Sequence, residues 1–465
     1  MKQQVFNPYL PSWEYIPDGE PRVFDGRLYV YGSHDRFNGD VYCQNDYVCW
    51  SAPEDDLSDW RYEGVIFQKT QDPRNPDGAH ALWAPDVCRG NDGKYYLYYC
   101  LDFLKEIGVA VCDTPAGKYE FLDFVRYPNG DILGSRPGEI RQFDPGIFID
   151  DDKRIYLFSG NSPRYKTPGV DKDSLKMELE QDMITVKHGP YHNLPIINDA
   201  DGTEYEAHPF FEASSVRKIG GKYYFIYSST WMHELCWAVA DTPLGEYRYG
   251  GVLVSNADIG ANGNTQALNY RGNTHGSVIN AGGKWYVFYH RQTNRHFFSR
   301  QACAEEIFFD GERFHQAEIT SCGLNGGPLK GEGWYPAYIA CHIFDKETPL
   351  IVSRPGLPRV TQDGRDGDTI DGHIDQIHNG TTIGFKYFDC KGVKGVRIQT
   401  RGYGNGVFEV RTAWDGETLG EIPVVGYNVW TENGCECRIP DGVNAIYLVF
   451  RGTGTPQLRG FELVC

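Results

Sequence analysis

A short run of aromatic and branched residues, opened by a glycine or a basic residue, returns five times along the first part of the chain. The copies read GRLYVYGS at 26–33, GKYYLYYC at 93–100, KRIYLFSG at 153–160, GKYYFIYS at 221–228 and GKWYVFYH at 283–290. They start 60 to 68 residues apart, enough for the four short strands of one β-propeller blade. The pattern predicts an all-β fold built on a five-bladed β-propeller.

A second repeat supports this duplication. VAVCDTPAGKYE at 109–120 is echoed by WAVADTPLGEYR at 237–248, and both follow the aromatic run of their unit. Helical periodicity is scarce, whereas 54 Gly and 26 Pro supply turns. One stretch, 171–183, has a composition compatible with a helix, and we expect it to be an insertion between blades.

The repeat pattern ends near residue 345. Residues 349–368 are rich in Pro, Gly and charge, as in a connection between domains. Five short strand candidates follow at close spacing, which favours a β-sandwich. The sequence thus predicts a propeller over 1–345 and a jelly-roll-like β-sandwich over 346–465.

Composition narrows the choice of partner and compartment. The 465 residues carry a formal net charge of -18, which argues against nucleic acid and against an anionic membrane as partner. The thirteen cysteines include no C-x-x-C pair, so neither a disulfide framework nor a zinc site is expected. Because the first residues form no apolar signal segment, we expect a cytoplasmic protein, or a secreted one if a signal peptide has been removed.

Three carboxylates occupy comparable places in their blades. Asp18, Asp144 and Glu212 each precede an aromatic run by roughly ten residues, so each should project from an innermost strand toward the propeller axis. Acidic residues usually lie in turns, but a turn residue has no reason to keep register with the axis. We therefore expect the three acids to share one cavity.

The motifs around these acids resemble those of glycoside hydrolase family 43. The match covers residues 1–345, with FDPG around Asp144 and FFEAS around Glu212 as its clearest parts. The resemblance implies a five-bladed propeller with inverting, exo-acting chemistry. It assigns the general base to Asp18, the general acid to Glu212, and to Asp144 the tuning and positioning of that acid.

The first motif leaves two positions open for the base. The family usually has an Asp-Pro pair there, whereas this chain reads Asp18-Gly19-Glu20-Pro21. Counting back without gaps from the following strand favours Asp18, and matching the acid-proline pair favours Glu20. Glu20 could also be a turn residue beside Pro21.

Inverting hydrolysis needs these acids in different protonation states. Base and acid must lie on opposite faces of the sugar, about 6.5–9.5 Å apart, to leave room for a water. The negative charge of Asp144 should raise the pKa of Glu212 and keep it protonated. Asp18 must stay ionised to accept the proton of the water.

Other candidates rest mainly on the family resemblance. His275 matches an axial histidine that binds a calcium ion or its water shell, or it is a satisfied core residue. Arg300 matches an arginine that contacts the sugar, with a surface salt bridge as the alternative. Trp83 matches a pocket-wall tryptophan, although it could only pack between blades. His34 and Asp35 could reach the pocket from the first blade, unless Asp35 caps a turn.

The C-terminal part resembles a family 6 carbohydrate-binding module. Such modules stack a sugar on exposed aromatic rings, a role that Tyr427 or Trp430 could fill. The domain could equally brace the propeller, with those rings in its core.

Together these features predict a glycosidase that removes a terminal pentose or furanose, of the α-L-arabinofuranosidase or β-D-xylosidase type. A galactofuranosidase or galactosidase on the same scaffold is one alternative, and a non-catalytic sugar-binding propeller is another. Retaining fructan hydrolases carry an N-terminal Asn-Asp-Pro-Asn-Gly element that this chain lacks. The expected partner is an oligosaccharide, and no cofactor is expected beyond a structural calcium ion; the oligomeric state stays open.

Overall fold

A computed structural model describes residues 3–170, 174–345 and 356–465. The described chain folds into five small antiparallel sheets, followed by two six-stranded sheets. All thirteen cysteines are unpaired thiols, in agreement with the sequence analysis. Within the described ranges, no helix is long and apolar enough to cross a lipid bilayer.

The five small sheets follow one another along the chain and are called blades I to V. Blade I contains β1 (Glu20–Phe24), β2 (Arg27–Tyr31), β3 (Tyr47–Pro53) and β4 (Arg61–Phe67). Blade II contains β5 (Leu82–Arg89), β6 (Tyr95–Leu101), β7 (Ile107–Cys112) and β8 (Glu120–Phe124). Blade III contains β9 (Gly146–Ile149), β10 (Ile155–Gly160), β11 (Ser174–Leu179) and β12 (Val186–His192). Blade IV contains β13 (Phe210–Ile219), β14 (Lys222–Ser229), β15 (Glu234–Ala240) and β16 (Arg248–Ser255). Blade V contains β17 (Val278–Ala281), β18 (Lys284–Arg291) and β19 (Gln301–Glu306).

Each aromatic run found in the sequence forms the second strand of its blade. These strands are β2, β6, β10, β14 and β18. They are buried on both faces because blades pack face to face; all of β6, for example, is buried. Such strands read as continuous apolar runs rather than as an alternating pattern, and this made the repeat visible.

Hydrogen bonds between the innermost strands link the blades into a ring. Arg22 reaches Asp86, Asp86 accepts from the Ile147 N–H, Asp144 accepts from the Ala213 N–H, and Arg217 donates to the Val278 carbonyl. A parallel bridge between Gly19 and Gly276 joins blade I to blade V. The N-terminal segment seals this junction, where Tyr9 packs edge-on against Phe288 at 5.3 Å. The five-bladed propeller is confirmed.

The insertion between blades expected at 171–183 is wrong for the part that the structure describes. Residues Ser174–Leu179 form β11, which pairs with β10, while 171–173 lie outside the described residues. Leu175, Met177 and Leu179 alternate with Lys176 and Glu178, which is the period of a strand. Pairing with β10 decided the conformation of a segment whose composition alone suited a helix.

Two further sheets form the C-terminal β-sandwich. The first contains β20 (Leu329–Lys330), β22 (His342–Phe344), β25 (Thr382–Cys390), β27 (Gly404–Arg411), β28 (Gly420–Val424) and β30 (Gly442–Gly454). The second contains β21 (Gly333–Pro336), β23 (Arg359–Thr361), β24 (His373–Asp375), β26 (Gly395–Gly402), β29 (Tyr427–Glu436) and β31 (Gln457–Val464). Phe385 and Phe408 of the first sheet and Phe461 of the second belong to one shared core. In the described residues, four short 3-10 turns complete the fold, at Lys69–Gln71, Ala261–Gly263, Gly323–Asn325 and Ala337–Ile339.

The sheets of the sandwich begin before the boundary that the sequence suggests. Strands β20 to β22 precede residue 345, yet β20 and β22 pair with β25 and β21 pairs with β31. Strands of two to four residues show no usable periodicity, so the sequence pattern did not reveal them. The division of the chain into 1–345 and 346–465 stays a prediction.

Buried charges join the sandwich to the propeller. His342 and Lys386 of the sandwich meet Asp258, which follows β16, at 2.7 Å and 3.2 Å. Lys386 also contacts Glu318, which follows β19, at 2.6 Å. Lys386 is almost completely buried here, so the contact between the two parts contains a fixed ionic cluster rather than a loose surface.

Candidate active site

A cavity of about 290 Å³ lies where the inner ends of the blades meet. Its lining residues come from all five blades: Asp18, Tyr42, Cys43, Trp83, Ala84, Arg141, Phe143, Asp144, Asn161, Phe211, Glu212, Met232, Asn273, His275 and Arg300. The three carboxylates expected to share a cavity are brought together there. Three acids and three basic side chains, Arg141, His275 and Arg300, in a space of this size make its electrostatics decisive for its chemistry.

An unusual backbone conformation recurs where the chain enters the innermost strands. Asp18, Ala84, Asp144 and Ala213 occupy equivalent places in blades I to IV and have positive φ values of 58°, 35°, 46° and 69°. Left-handed conformations are uncommon for residues other than glycine and mark sites that the surrounding fold holds under strain. Two of these four residues, Asp18 and Asp144, are carboxylates of the cavity. The third carboxylate, Glu212, directly precedes Ala213.

Asp18 is surrounded by positive charge and hydrogen-bond donors. Its Oδ1 accepts from Nη1 of Arg300 at 3.1 Å, and its backbone N–H donates to Nδ1 of His290 at 3.1 Å. Burial by itself would raise the pKa of Asp18, but Arg300 above all outweighs it and lowers that pKa. Burial also lowers the pKa of His290 to about 3. Asp18 is therefore ionised beside a neutral imidazole.

Glu212 has the opposite electrostatic environment. Burial, together with the negative charges of Asp144 and Asp18, raises the pKa of Glu212 to about 8. Its Oε2 accepts from Nδ2 of Asn161 at 3.2 Å. Asp144 is fixed beside it, because its Oδ2 accepts at 3.0 Å from the N–H of Ala213, the residue after Glu212. At neutral pH the cavity thus contains an ionised Asp18 and a protonated Glu212.

Glu20 lies outside the cavity, in a buried polar layer beneath it. Its Oε2 accepts from Nη2 of Arg217 at 2.8 Å and from the Ser215 hydroxyl at 3.1 Å. Only 1% of its surface is exposed. Of the two acids that the sequence left open in blade I, Asp18 is the one at the cavity, and Glu20 is a structural ion-pair partner.

Arg300 and Asp35 form a pair held in a bidentate geometry. Nε and Nη2 of Arg300 donate to the two carboxylate oxygens of Asp35 at 2.8 Å and 2.9 Å. Arg300 lines the cavity as expected, and its burial rules out the surface salt bridge considered as the alternative. Asp35 was expected to reach the pocket but is fully buried behind Arg300. It orients the guanidinium toward Asp18 instead of contacting a ligand.

The similarity of the chain to known proteins identifies its family. The family model of glycosyl hydrolases family 43 matches residues 18–312. The chain belongs to glycosyl hydrolase family 43. A xylosidase/arabinosidase of Thermoclostridium stercorarium is 52% identical over 473 residues, covering 100% of this chain and 99% of that protein. A xylosidase/arabinosidase of Bacteroides ovatus is 32% identical over 314 residues, covering 61% of this chain and 87% of that protein.

A solved structure extends the likeness to both parts of the fold. The family 43 arabinoxylan arabinofuranohydrolase from Bacillus subtilis, crystallised with cellotetraose, is 22% identical, with a TM-score of 0.52. The match covers 98% of this chain and 97% of that one, so propeller and sandwich recur together. As a family 43 member, the protein is a glycosidase that hydrolyses O-glycosyl bonds.

Trp83 lines the family 43 cavity, as expected from the sequence. Its ring meets Tyr42 and Phe143 edge-on at 5.6 Å and 5.3 Å, and the guanidinium of Arg141 lies 5.4 Å from it. This aromatic wall suits the C–H face of a sugar ring.

His34 does not reach the cavity, contrary to the sequence-based expectation. Its Nε2 lies 3.0 Å from Oε1 of Glu14, and its Nδ1 lies 2.9 Å from the backbone oxygen of Asp46. Its two ring nitrogens are thus engaged away from the axis, where they fix the start of the loop after β2. Being next to Asp35 in the sequence did not place it on the cavity.

His275 lines the cavity floor between two carboxylates. Its Nδ1 lies 3.4 Å from Oδ2 of Asp144, and its Nε2 lies 3.8 Å from Oε1 of Glu20. Burial opposes a charged imidazole, but Asp144, Asp18 and Glu20 outweigh it and raise the pKa of His275 to about 9. His275 is an imidazolium that neutralises part of the negative charge at the axis.

Several residues that line the cavity or lie directly behind it were not predicted from the sequence. His290 had a detectable signal, because it ends the fifth aromatic run where the other four runs end in Ser33, Cys100, Gly160 and Ser228. A bulky titratable residue in place of a small one indicates a functional position in the fifth blade. Tyr42 and Asn161 lie in irregular segments outside every repeat, so no pattern indicated them.

Proposed function

We propose that this family 43 enzyme is an inverting, exo-acting pentosidase that removes terminal β-D-xylose or α-L-arabinofuranose from oligosaccharides. The observation that carries the proposal is the pair of carboxyls with opposite pKa shifts, Asp18 and Glu212, that line the same cavity. Environments that push two carboxyl pKa values apart separate acid from base. The xylosidase/arabinosidase with 52% identity supports this class of substrate.

The proposed reaction is a single displacement at the anomeric carbon. Ionised Asp18 takes a proton from a water, whose oxygen forms the new bond to that carbon. Protonated Glu212 gives its proton to the glycosidic oxygen as the bond to the leaving group breaks. Asp144 is a fixed negative charge that keeps Glu212 protonated in the free enzyme, and Arg300 holds Asp18. Two carboxyls and a water suffice, so the chemistry needs no cofactor.

The size of the cavity supports action on chain ends. A volume of about 290 Å³ lies at the lower end of ligand pockets, which are commonly about 300–1,000 Å³. It suits one sugar unit with a water and excludes a continuous polysaccharide strand. The acidic floor and the aromatic wall of Trp83 match a neutral sugar with one polar and one apolar face.

The first test compares glycosides that differ only in the sugar. Nitrophenyl β-D-xylopyranoside, α-L-arabinofuranoside and β-D-galactofuranoside are assayed side by side, and we expect turnover of the first two. NMR of the first product formed from the xyloside should show α-xylose, since inversion reverses the anomeric configuration. Turnover of the galactofuranoside alone would favour the galactofuranosidase alternative, and sugar binding without any turnover the non-catalytic propeller.

A structural calcium ion enters the proposal only in a limited form. In the described part of the chain, Oε1 of Glu20 is buried without a hydrogen-bond partner and faces Nε2 of His275. Calcium takes six to eight oxygen ligands, so an ion beside Oε1 of Glu20 would draw most of its ligands from water and would require a neutral His275. It would then supply the positive charge below the cavity in place of protonated His275, and no step of the reaction passes through it.

For the C-terminal sandwich we propose bracing before sugar binding. Trp430 is covered by the guanidinium of Arg401 at 4.3 Å and by His373 at 5.5 Å, so its ring is engaged within the domain. Tyr427 is 53% exposed and Tyr403 is 78% exposed, so sugar binding at these two rings stays the second candidate. The contacts of the sandwich with the propeller give it a more definite role.

A further inference from the structure

A loop of the sandwich extends to the rim of the proposed active site. This loop, residues 362–372, connects β23 to β24 and contacts the segment of blade I that follows β2. We infer that Asp366 in this loop is a positioning residue that holds Tyr42 in the wall of the sugar pocket. The inference rests on the proposed function and assigns part of the pocket's shape to the C-terminal sandwich.

Asp366 binds the blade I segment at two points. Its Oδ1 accepts from the backbone N–H of Phe37 at 2.7 Å, and its Oδ2 lies 3.3 Å from Nδ2 of Asn45. These two residues enclose the rim loop, residues 37–45, which carries Tyr42 and Cys43. One carboxylate therefore ties both ends of the rim loop to the sandwich.

The rim loop depends on such side-chain contacts for its position. It lies between β2 and β3 and contains no strand, so no ladder of backbone hydrogen bonds fixes it. Apart from Asp366, Ser299 accepts from the N–H of Asn38 and Asp35 from that of Cys43, and the N–H groups of Gly39 and Asn45 donate to nearby backbone carbonyls. A charge-assisted hydrogen bond is stronger than a neutral one, so the Asp366 contact should be a principal anchor.

Tyr42 connects the rim loop to the reacting groups. Its ring lies 4.8 Å from the guanidinium carbon of Arg300, 5.6 Å from the Trp83 ring and 4.7 Å from the Phe298 ring. Tyr42 therefore covers the arginine that holds Asp18 and shares the aromatic wall with Trp83. A displaced rim loop would open this wall without moving the carboxyls themselves.

The sandwich loop has anchors of its own that do not involve Asp366. The Tyr15 hydroxyl donates to Oε1 of Gln362 at 3.1 Å, and the N–H of Gly372 donates to the Ser12 hydroxyl at 2.8 Å. The N–H of Val360 donates to the carbonyl of Thr293 at 2.9 Å. Removal of the Asp366 carboxylate should thus release the rim loop while the sandwich stays docked.

The test compares Asp366→Ala with a matched control in the same loop. In Asp363→Ala the lost carboxylate is one that pairs with Arg401 inside the sandwich. For Asp366→Ala we expect KM for nitrophenyl xyloside to rise about tenfold with kcat nearly unchanged, since a pocket wall binds ground state and transition state alike. Asp363→Ala should keep the wild-type KM. Asp366→Asn retains an acceptor for the Phe37 N–H, so its KM should be close to the wild-type value.

A second measurement separates this inference from the proposed function. Hydrogen exchange of peptides covering 37–45, followed by mass spectrometry, requires no substrate. Exchange should accelerate in Asp366→Ala, return toward wild type in Asp366→Asn and stay unchanged in Asp363→Ala. Unchanged exchange in Asp366→Ala, or an equal rise in KM in Asp363→Ala, would overturn the inference. Absence of pentosidase activity in the wild-type enzyme would overturn the proposed function. The role of Asp366 in holding the rim loop would then be decided by hydrogen exchange alone.

Discussion

At the scale of single residues, Asp18 and Glu212 differ because of what surrounds each carboxyl. Arg300 stabilises the charge on Asp18, whereas burial and the charge of Asp144 disfavour a charge on Glu212. Asp18 is buried and Glu212 is half-buried, and burial raises the pKa of both carboxyls, so burial alone does not separate them. The charged neighbour of each acid decides which one gives and which one takes the proton.

These pKa shifts predict the pH dependence of the enzyme. The reaction needs ionised Asp18 and protonated Glu212, so kcat/KM should fall on the alkaline side near pH 8, where Glu212 loses its proton. On the acid side it should fall only below about pH 4, because the pKa of Asp18 is lowered from its usual value. A pH profile with the two nitrophenyl glycosides measures both limits. An alkaline limit below pH 6 would contradict the assignment of Glu212.

Replacing each acid should give a different dependence on the leaving group. Glu212→Gln cannot protonate the departing oxygen, so oligosaccharide hydrolysis should fall about 10³-fold or more. The dinitrophenolate of a dinitrophenyl glycoside departs without protonation, so the variant should lose much less activity on that substrate. Asp18→Asn should slow both substrates to a similar extent, because the water still needs a base.

Kinetics on xylobiose and a dinitrophenyl xyloside, with circular dichroism as a control of folding, measures the contrast. Equal losses for both substrates in Glu212→Gln would remove Glu212 from the role of acid.

The main acids could be predicted from the sequence, but the residues that surround them could not. Asp144 and Glu212 lie in distinct motifs and could be predicted. The choice between Asp18 and Glu20 depends on a left-handed residue and on Arg217, which is almost 200 residues away. A contact between residues so far apart forms only when the ring of blades is complete, and it produces no pattern in the sequence around either residue.

At the scale of elements, the innermost strands carry two polar layers with separate tasks. The upper layer faces the cavity. The lower layer contains two ion pairs: Arg22 with Asp86, between the neighbouring blades I and II, and Arg217 with Glu20, between blades IV and I across the ring. Buried ion pairs of this kind are costly to break on one side, because the remaining charge stays buried without a partner. The lower layer thus holds in place the strands from which the reacting groups project.

This layer predicts that Glu20 matters for stability rather than for chemistry. Glu20→Ala leaves Arg217 buried without its carboxylate partner and should lower the free energy of unfolding by about 3–5 kcal/mol. Below its melting transition, the variant should keep most of its kcat. Asp152→Ala, which breaks an exposed pair with Arg154, should leave the melting temperature unchanged. Loss of kcat in a folded Glu20→Ala protein would reopen the assignment of the base.

The elements themselves were predictable where both faces of a strand are buried. Each of the five aromatic runs correctly predicted a strand, the second one of its blade. The segment Ser174–Leu179 was misassigned because Leu175, Met177 and Leu179 alternate over only six residues. So short an alternation is outweighed by overall composition when only the sequence is read.

At the scale of the whole molecule, the sandwich contacts the propeller through charge as well as shape. Asp258 and Glu318 come from the propeller side, and His342 and Lys386 come from the sandwich. Docking of this kind makes the two parts unfold together. It also fixes the direction in which the loop of Asp366 extends.

Removing the buried lysine should uncouple the two parts. Lys386→Met leaves Asp258 and Glu318 with less positive charge and should weaken docking by about 3–5 kcal/mol. We expect the calorimetric trace to change from one transition to two at lower temperature. Lys391→Met, at an exposed position of the same sandwich, is the control. A single transition at the wild-type temperature in Lys386→Met would show that the ionic cluster is dispensable.

The organisation of the whole molecule was only partly predictable. Repeat spacing indicated the ring, and the change of pattern after it indicated a second fold. The short strands β20 to β22, and the loop that reaches blade I, depend on pairing between distant segments, which repeat spacing does not report.

The closing of the ring has a consequence for the protein during its synthesis. Asp18 leaves the ribosome early, whereas His290 and Arg300, which set its environment, emerge some 270 residues later. Until then the nascent chain has a lone aspartate and no pocket around it. A product truncated before blade V is therefore inert, and hydrolysis begins only when translation of the propeller is nearly complete.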